Sequence, residues 1–496
     1  MWKELKALFK HTTIYGMGGV LGKMVGFLMI PFYTHYLTPA DYGTLELLDL
    51  TLSLMGIVLT MWMNAAIIRH YHDYEDDHNR GQVIGTTLIM AALIGIGVAA
   101  LGIAWARPLS SLILKTPAFY PYIRLVSLSF FVSCITAVSW SYLRAKQQSV
   151  FVVGTGLLNL VLSLGLNVYF IAYLRVGVIG ILYSSLISGS VIALIVTTNT
   201  LRRGSLRFSL EKLKAIIAFG APLIATSIAA FTVNFSDRFF LRHFGTISDV
   251  GIYALGYKFG FMLSFLVVQP FDMIWGARMY EIAKQENSKD VISRIFSYYS
   301  LALIATALGM CLIIKEVITI VAPPQFHAAY RVVPLVALAY VFQGMNRYFL
   351  SGVYIAKRTI YLAAVGSSSA VLNLLLNYVL IGHYGMMGAA CATAISFSFM
   401  AVLACIVAQK AHPVPYSFFR LIMPLALAAL LYLSSTLVIG SLVVAIALKL
   451  ALFILFPVGL YLMGFFEQRE VDKARELARV FLVRSGMRTA AASGRG

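Results

Sequence analysis

Charge is scarce in this sequence. Only 12% of its 496 residues are charged against 60% hydrophobic, and the mean hydropathy is +0.84. Soluble domains carry about a quarter of their residues as charges, so a soluble protein is excluded. Cysteine is scarce too. Cys134, Cys311, Cys391 and Cys405 all fall in apolar runs without metal-ligand spacing, so neither a metal site nor a disulfide framework is implied. Acid is the scarcer sign, with 20 Asp and Glu against 39 Lys and Arg and a net charge of +19. The basic residues sit in short loops between apolar runs rather than on a recognition helix or arm, so nucleic acid is not the partner expected. A Gly-rich Walker-type loop is missing, which removes direct ATP drive.

What is present is apolar runs of about 20 residues, the length at which a helix crosses the hydrocarbon with every backbone group satisfied internally. The expected fold is an all-α polytopic membrane protein. About fourteen spans start near Thr12, Gly43, Val83, Tyr122, Phe151, Val178, Ile216, Val250, Ile295, Val332, Ile360, Met386, Phe419 and Gly440. The first is read as a retained helix, since it is long, carries Lys23 and lacks a cleavage site. Lys and Arg crowd alternate loops: Arg69, Arg80, Arg144, Lys146, Arg202, Arg278, Lys284 and Lys357 on one side, only Arg107, Lys115, Arg175, Arg242 and Arg331 on the other. The positive-inside rule then predicts cytoplasmic termini. The tail alternates Val471, Leu477 and Phe481 with Lys473, Arg475 and Arg479, as an interfacial amphipathic helix on anionic lipid would.

The chain also repeats itself. "HYLTPADYGTLELLDL" from His35 meets "HFGTISDVGIYALGYK" from His243, and "LRAKQQ" from Leu143 meets "YIAKRT" from Tyr354 through a shared Ala-Lys. "LGLNVYFI" from Leu164 meets "LLLNYVLI" from Leu374, and "GVIG" from Gly177 meets "GMMG" from Gly385. A shift of six spans keeps orientation, so the halves are parallel repeats, which leave a cavity between them. The boundaries expected are a six-helix lobe over 1–210, a second over 211–412, an appended helix pair over 413–466 and a basic cytoplasmic tail over 467–496.

These segments, together with "IIRHYHDY" after the second span and "NFSDRFFLRHFG" in the seventh, resemble the polysaccharide-transporter branch of the multidrug/oligosaccharidyl-lipid/polysaccharide exporter superfamily. The likeness is to Wzx-type flippases of O-antigen and exopolysaccharide repeat units. It implies alternating access in a bacterial inner membrane, carrying an undecaprenyl-pyrophosphate-linked oligosaccharide outward, with membrane lipids, a polymerase and other glycan-assembly proteins as partners. Lipid II flippases share the plan, but their arginine-rich first-helix pattern is not obvious. A multidrug or cation antiporter of the toxin-extrusion branch is the alternative. An embedded glycosyltransferase or polymerase is disfavoured, because the outer loops hold hardly a carboxylate beyond Asp41 and Asp249, so the chain is not expected to be an enzyme.

Charges inside the hydrocarbon are costly and mark function by default. A pyrophosphate leaving water calls for charge-assisted hydrogen bonds from Lys or Arg, and the candidates are Lys23, Arg124, Arg238, Lys258 and Arg347. Each has a bland counterpart as a snorkelling or structurally paired side chain. Glu46, Asp49, Ser53, Thr60 and Asn64 recur at helical spacing as a cavity-facing stripe. Ser227, Asn234 and Arg238 with Asp237 share one face, as do Lys258, Gln269 and Asp272, and Tyr340, Gln343, Arg347, Ser351 and Tyr354. Glu46, Asp49 and Asp237 are also where a proton or sodium ion would act; no cofactor is called for. Two ladders coincide under the repeat, Asn159, Ser163 and Asn167 with Ser369, Asn373 and Asn377, and read as interhelical glue ahead of sugar contacts. Lys449 in the appended pair either meets a lipid phosphate or snorkels. The loop "RHYHDYEDDHNR" has a metal-like composition but no ligand spacing, and reads as a solvated connector.

Overall fold

The computed structural model describes residue 22 and residues 25–203, 206–358, 360–437 and 441–466. Lys23, most of the first expected span and the basic tail lie outside them. The described residues form helices α1 (Ile30–Tyr36), α2 (Pro39–His72), α3 (Asp77–Ala104), α4 (Ala106–Leu114), α5 (Pro117–Ala145), α6 (Ser149–Tyr173), α7 (Val178–Arg202) and α8 (Leu210–Phe244). They continue as α9 (Ile247–Gly276), α10 (Ser288–Val321), α11 (Val333–Ile355), α12 (Ile360–Ala411), α13 (Phe419–Thr436) and α14 (Leu442–Leu462). Among the described residues there is no strand. Eleven of the helices are long and apolar enough to cross a bilayer, or twelve if Pro324–Arg331 and α11, bent by 43°, are one span. Most spans begin within a few residues of the expected starts.

The 52-residue α12 is not one straight rod. Gly385 breaks it, with φ 53° and ψ −129°, in the left-handed region that glycine enters without penalty. Its repeat counterpart Gly177 also has positive φ, at 65°, between α6 and α7. The same backbone break therefore separates two helices in the first half and bends one in the second. The turns after α5 and α11 match as well. Gln148 N–H donates to Leu143 O at 3.0 Å and Arg358 N–H to Val353 O at 3.1 Å, while Gln147 and Lys357 both take left-handed φ, 57° and 58°. This register pairs Gln147 with Lys357, one residue away from the pairing that the shared Ala-Lys suggests. Backbone closure of the turn, rather than identity of two residues, sets the alignment.

Helix starts are set by side-chain caps. Thr38 and Asp41 form a capping box at α2: Thr38 N–H and Oγ1–H donate to Asp41 Oδ2 at 3.0 and 2.7 Å, and Asp41 N–H returns to Thr38 Oγ1 at 3.2 Å. Thr246 and Asp249 repeat this at α9, with 2.9, 2.7 and 3.2 Å. Asp76 caps α3 by accepting from Asn79 N–H at 2.8 Å. Bonding from the Asn79 side chain and backbone holds its carboxyl below the usual range.

The chain divides into two compact units, Met1–Met262 with Val317–Ala411, and Leu263–Glu316 with His412–Gly496. Inside the second, Ser293 of α10 donates to Pro415 O at 2.6 Å, Phe271 stacks on Tyr299 with centroids 4.0 Å apart, and a Phe453 edge from α14 lies over Gly309. Lys449 donates to Glu316 Oε1 at 2.6 Å, both side chains less than a tenth exposed. Lys449 therefore neither snorkels nor waits for a lipid. A carboxylate from α10 pairs with it, which is how a buried charge is tolerated.

Candidate functional site

Within the first unit, α2 and α9 cross at Gly43 and Gly251. A Cβ on Gly43 would collide with the Ile247 carbonyl oxygen, and one on Gly251 with that of Pro39. Only glycine lets two backbones come this close. Beside the crossing, Arg242 donates to Leu114 O at 2.5 Å, and Lys115 donates back to His243 O at 2.6 Å. Each cation caps the carbonyl end of the other half's helix, α4 and α8, a favourable place for positive charge. This end is thus held shut by two glycines and an exchanged pair of caps.

About one turn inward lies a cluster of charges drawn from three helices. Glu46 of α2 faces both Arg238 of α8, with Oε1 3.6 Å from Nε, and Lys258 of α9, with Oε2 3.8 Å from Nζ. Arg238 is 1% exposed. Its Nη1 donates to Asp237 Oδ1 at 2.6 Å and to Asn234 O at 2.8 Å. Its guanidinium lies over the Tyr257 ring at 3.7 Å. Asp237 Oδ2 accepts in turn from Tyr253 at 2.5 Å and from Thr393 at 3.3 Å. Tyr257 and Tyr340 share a hydroxyl contact at 2.8 Å, and Asn234 Oδ1 accepts from Tyr340 and Gln343, both at 3.4 Å. Hydrogen bonds of this kind around a buried ion pair help to repay its desolvation, although Arg238 Nε itself is buried without a hydrogen-bond partner.

Lys258 is in a different state. Its side chain is 47% exposed although it lies about a third of the way along α9, and it donates to Tyr42 Oη at 2.9 Å. Asp49, a turn beyond Glu46, is exposed, and its carboxylate makes no hydrogen bond or ion pair with any described residue. Charges at this depth are costly for acyl chains to surround. Three carboxylates, Glu46, Asp49 and Asp237, accompany two cations, Arg238 and Lys258.

The other candidates lie elsewhere. Arg124 is exposed and sits over Tyr120 at 5.0 Å. Arg347 is exposed on α11, where Tyr340, Gln343 and Ser351 of the same expected stripe are buried. Asp272 and Gln269 belong to the second unit, half-buried. A π-helical turn at Ser264–Val268 separates them from Lys258, and its extra residue breaks the helical face they were expected to share. The α2 stripe is interrupted in the same way by a π-turn at Ile57–Met61. Within it Thr60 is buried and donates to Gly56 O at 3.3 Å, and beyond it Asn64 accepts from Ser141 at 3.0 Å, inside the N-terminal half. Sequence reasoning missed Tyr42, Tyr253 and Tyr257. The spacing of Tyr253 and Tyr257, one turn apart and adjoining Lys258, was the available signal.

A model of the family described as polysaccharide biosynthesis protein matches residues 34–331, well over half of the chain. The chain belongs to that family. Two curated proteins are similar: Lsg locus protein 1 of Haemophilus influenzae, 27% identical over 64% of this chain and 78% of that protein, and "Probable low-salt glycan biosynthesis flippase Agl15" of Haloferax volcanii, 24% identical over 44% of this chain and 47% of that protein. Among solved structures, lipid II flippase MurJ in an inward closed conformation superposes with a TM-score of 0.75 at 10% identity, covering 91% of this chain and 99% of that one. An inward-facing multidrug transporter of the MATE family superposes with a TM-score of 0.60 at 18% identity, covering 78% and 94%. At these identities the likeness is one of fold. This polysaccharide biosynthesis protein is a multi-pass membrane protein with the architecture those transporters share.

Proposed function

We propose that this polysaccharide biosynthesis protein flips a lipid-linked oligosaccharide from the cytoplasmic to the outer leaflet of a bacterial inner membrane by alternating access between two parallel six-helix halves. The name of the Haloferax relative and the MurJ-like fold support the cargo class. The observation that carries the mechanism is the contrast within the cluster: a buried Arg238 paired with Asp237 beside an exposed Lys258. Arg238 is 1% exposed and its Nη1 already donates to Asp237 and Asn234, so a phosphate would have to displace packed side chains to reach it. Lys258 needs only to exchange Glu46, at 3.8 Å, for a pyrophosphate oxygen. In this proposal Lys258, with Lys23 and Arg347, receives the head group, while Arg238 holds α8, α9 and α2 together. Both termini are cytoplasmic, and a polymerase consumes the product on the far side.

The decisive experiment neutralises Lys23, Lys258 and Arg347 together. The triple variant should remain in the membrane and leave lipid-linked glycan on the cytoplasmic leaflet. Normal surface glycan in that strain would remove the anion role.

The surplus of carboxylates favours a second element. Asp49, exposed and without a partner, suits a proton or sodium ion, so a cation gradient would drive the step, or the protein would exchange cations as the toxin-extrusion branch does. Asp49→Asn should then abolish the dependence of export on the gradient. Unchanged glycan with altered drug sensitivity would favour the antiporter.

A further inference from the structure

At the end of α3 the chain turns out of the bundle core. Trp105 leaves helical geometry, with φ −106° and ψ 24°, and α4 follows for nine residues. Ala106, Ser110 and Leu114 of α4 are buried, one turn apart, whereas Trp105 is 62% and Leu112 78% exposed. A short helix that exposes Arg107, Pro108, Ser111 and Leu112 together, directly after an apolar span and the exposed Trp105, suits the mixed polar and apolar interfacial layer of a bilayer. Aromatics gather there too: Phe119 and Tyr122 stack with centroids 5.0 Å apart at the start of α5.

Two arginines meet on this rim. Arg107, in the first turn of α4, lies 5.4 Å from the centroid of the Tyr120 ring. Arg124, one turn into α5 from that tyrosine, lies 5.0 Å from the same ring. Both are exposed. Neither forms a hydrogen bond or an ion pair with any described residue. One electron-rich ring thus contacts two like charges, with both guanidinium forks left open. Four other cations of this first unit have partners: Arg238 has Asp237, Lys258 has Glu46, and Arg242 and Lys115 have helix-end carbonyls. The planar fork is suited to bidentate binding of phosphate oxygens, and phosphate is the abundant anion of the layer in which α4 lies.

We propose that Arg107, Tyr120 and Arg124 form a clamp for the phosphate of a membrane lipid on the rim of the N-terminal half. Tyr120 sets the spacing of the two forks, and Trp105 and Leu112 lie against the upper acyl chain. The phosphate comes either from an anionic phospholipid or from the pyrophosphate of a polyprenyl carrier. The clamp requires only that the chain spans a bilayer, so it stands or falls apart from the transport proposal.

The test is native mass spectrometry of the full-length protein in detergent, supplied in turn with phosphatidylglycerol, phosphatidylcholine and undecaprenyl pyrophosphate. The wild type should retain an anionic lipid in preference to phosphatidylcholine, and R107Q/R124Q should lower that retention about tenfold, equivalent to roughly 1.4 kcal/mol. Retention of phosphatidylglycerol assigns the clamp to bulk lipid, and preferential retention of undecaprenyl pyrophosphate assigns it to the carrier. Y120F should behave as wild type and Y120A as the double variant. R107K/R124K keeps the charge and should lose part of the retention, which separates loss of the forks from misfolding. An equal melting temperature without lipid confirms that R107Q/R124Q is folded. Equal retention by wild type and R107Q/R124Q, or equal retention of phosphatidylcholine and phosphatidylglycerol by the wild type, overturns the proposal.

Discussion

The two halves of the first unit share a scaffold and differ in what they bury. In the second half Ser236, Asn373, Asn377 and Ser396 close a dry network. Ser236 donates to Asn373 Oδ1 at 3.1 Å, Asn377 Nδ2 donates to Ser236 and to Asn373 Oδ1 at 3.1 and 2.9 Å, and Asn373 Nδ2 donates to Ser396 at 3.2 Å. In the first half Asn167 makes one bond, to Tyr33 Oη at 2.8 Å, while Asn159 and Ser163 are only half-buried. In the register that aligns His35 with His243, Asp237 and Arg238 stand opposite Met29 and Ile30, Glu46 opposite Ala254, and Lys258 opposite Leu50. Caps, glycine crossing and positive-φ breaks are common to both copies, whereas charge is distributed once. A repeated frame thus carries an asymmetric site, with Glu46 and Asp49 on α2, an exposed cation on α9 and a buried ion pair on α8.

The asymmetry breaks most visibly at Asp237. Removing one member of a buried pair strands the other, at a cost of about 3–5 kcal/mol. Asp237→Ala should therefore show a large drop in melting temperature in detergent and poor accumulation in the membrane. Asp49→Ala removes an exposed carboxylate with no partner and should change stability by no more than about 0.5 kcal/mol. If the two variants melt alike, the division into anchored and working charges is wrong.

The shared frame can be broken next. A side chain at the crossing must force α2 and α9 apart, so Gly43→Val and Gly251→Val should each cost on the order of 1–3 kcal/mol or more and slow export. Similar losses for both would uphold the symmetry of the crossing, and a loss confined to one would show that the frame has diverged as well. A smaller contrast is expected between the ladders. Asn377→Ala leaves Ser236 and Asn373 short of a buried partner and should cost about 1–3 kcal/mol, against about 1 kcal/mol for Asn167→Ala. Denaturation of the two purified variants side by side measures the difference.

What could be read in the sequence follows the range of each interaction. Spans, the repeat and the two capping segments rest on local pattern, and the matching GVIG and GMMG segments carry the two positive-φ glycines, Gly177 and Gly385. The π-turn at Ile57–Met61 follows Gly56 and that at Ser264–Val268 is followed by Pro270, and polar stripes drawn through them at constant periodicity took no account of these breakers. Long-range pairing was hidden. Lys449 and Glu316 are 133 residues apart, and the sequence showed only a charge in an apolar run. For Arg238 the sequence left a substrate contact and a structural pair both open, because burial against Tyr257 depends on how α8 and α9 pack. The second-half ladder, read as glue, does bond helix to helix, since amides spaced one turn apart face a single neighbour.

The smallest predicted effect tests the symmetry most strictly. Thr38 and Thr246 cap α2 and α9 with bonds that agree within 0.1 Å. An N-cap replaced by alanine costs about 1 kcal/mol. Thr38→Ala and Thr246→Ala should therefore destabilise by equal amounts. The caps sit at opposite sides of one crossing, so their coupling reports on the contact between them. If α2 and α9 are rigid bodies meeting only at Gly43 and Gly251, the double variant should lose the sum of the single losses within about 0.3–0.5 kcal/mol. A larger loss would mean that fraying one helix start loosens the glycine contact and so weakens the other, which would make the two caps one cooperative closure of this end.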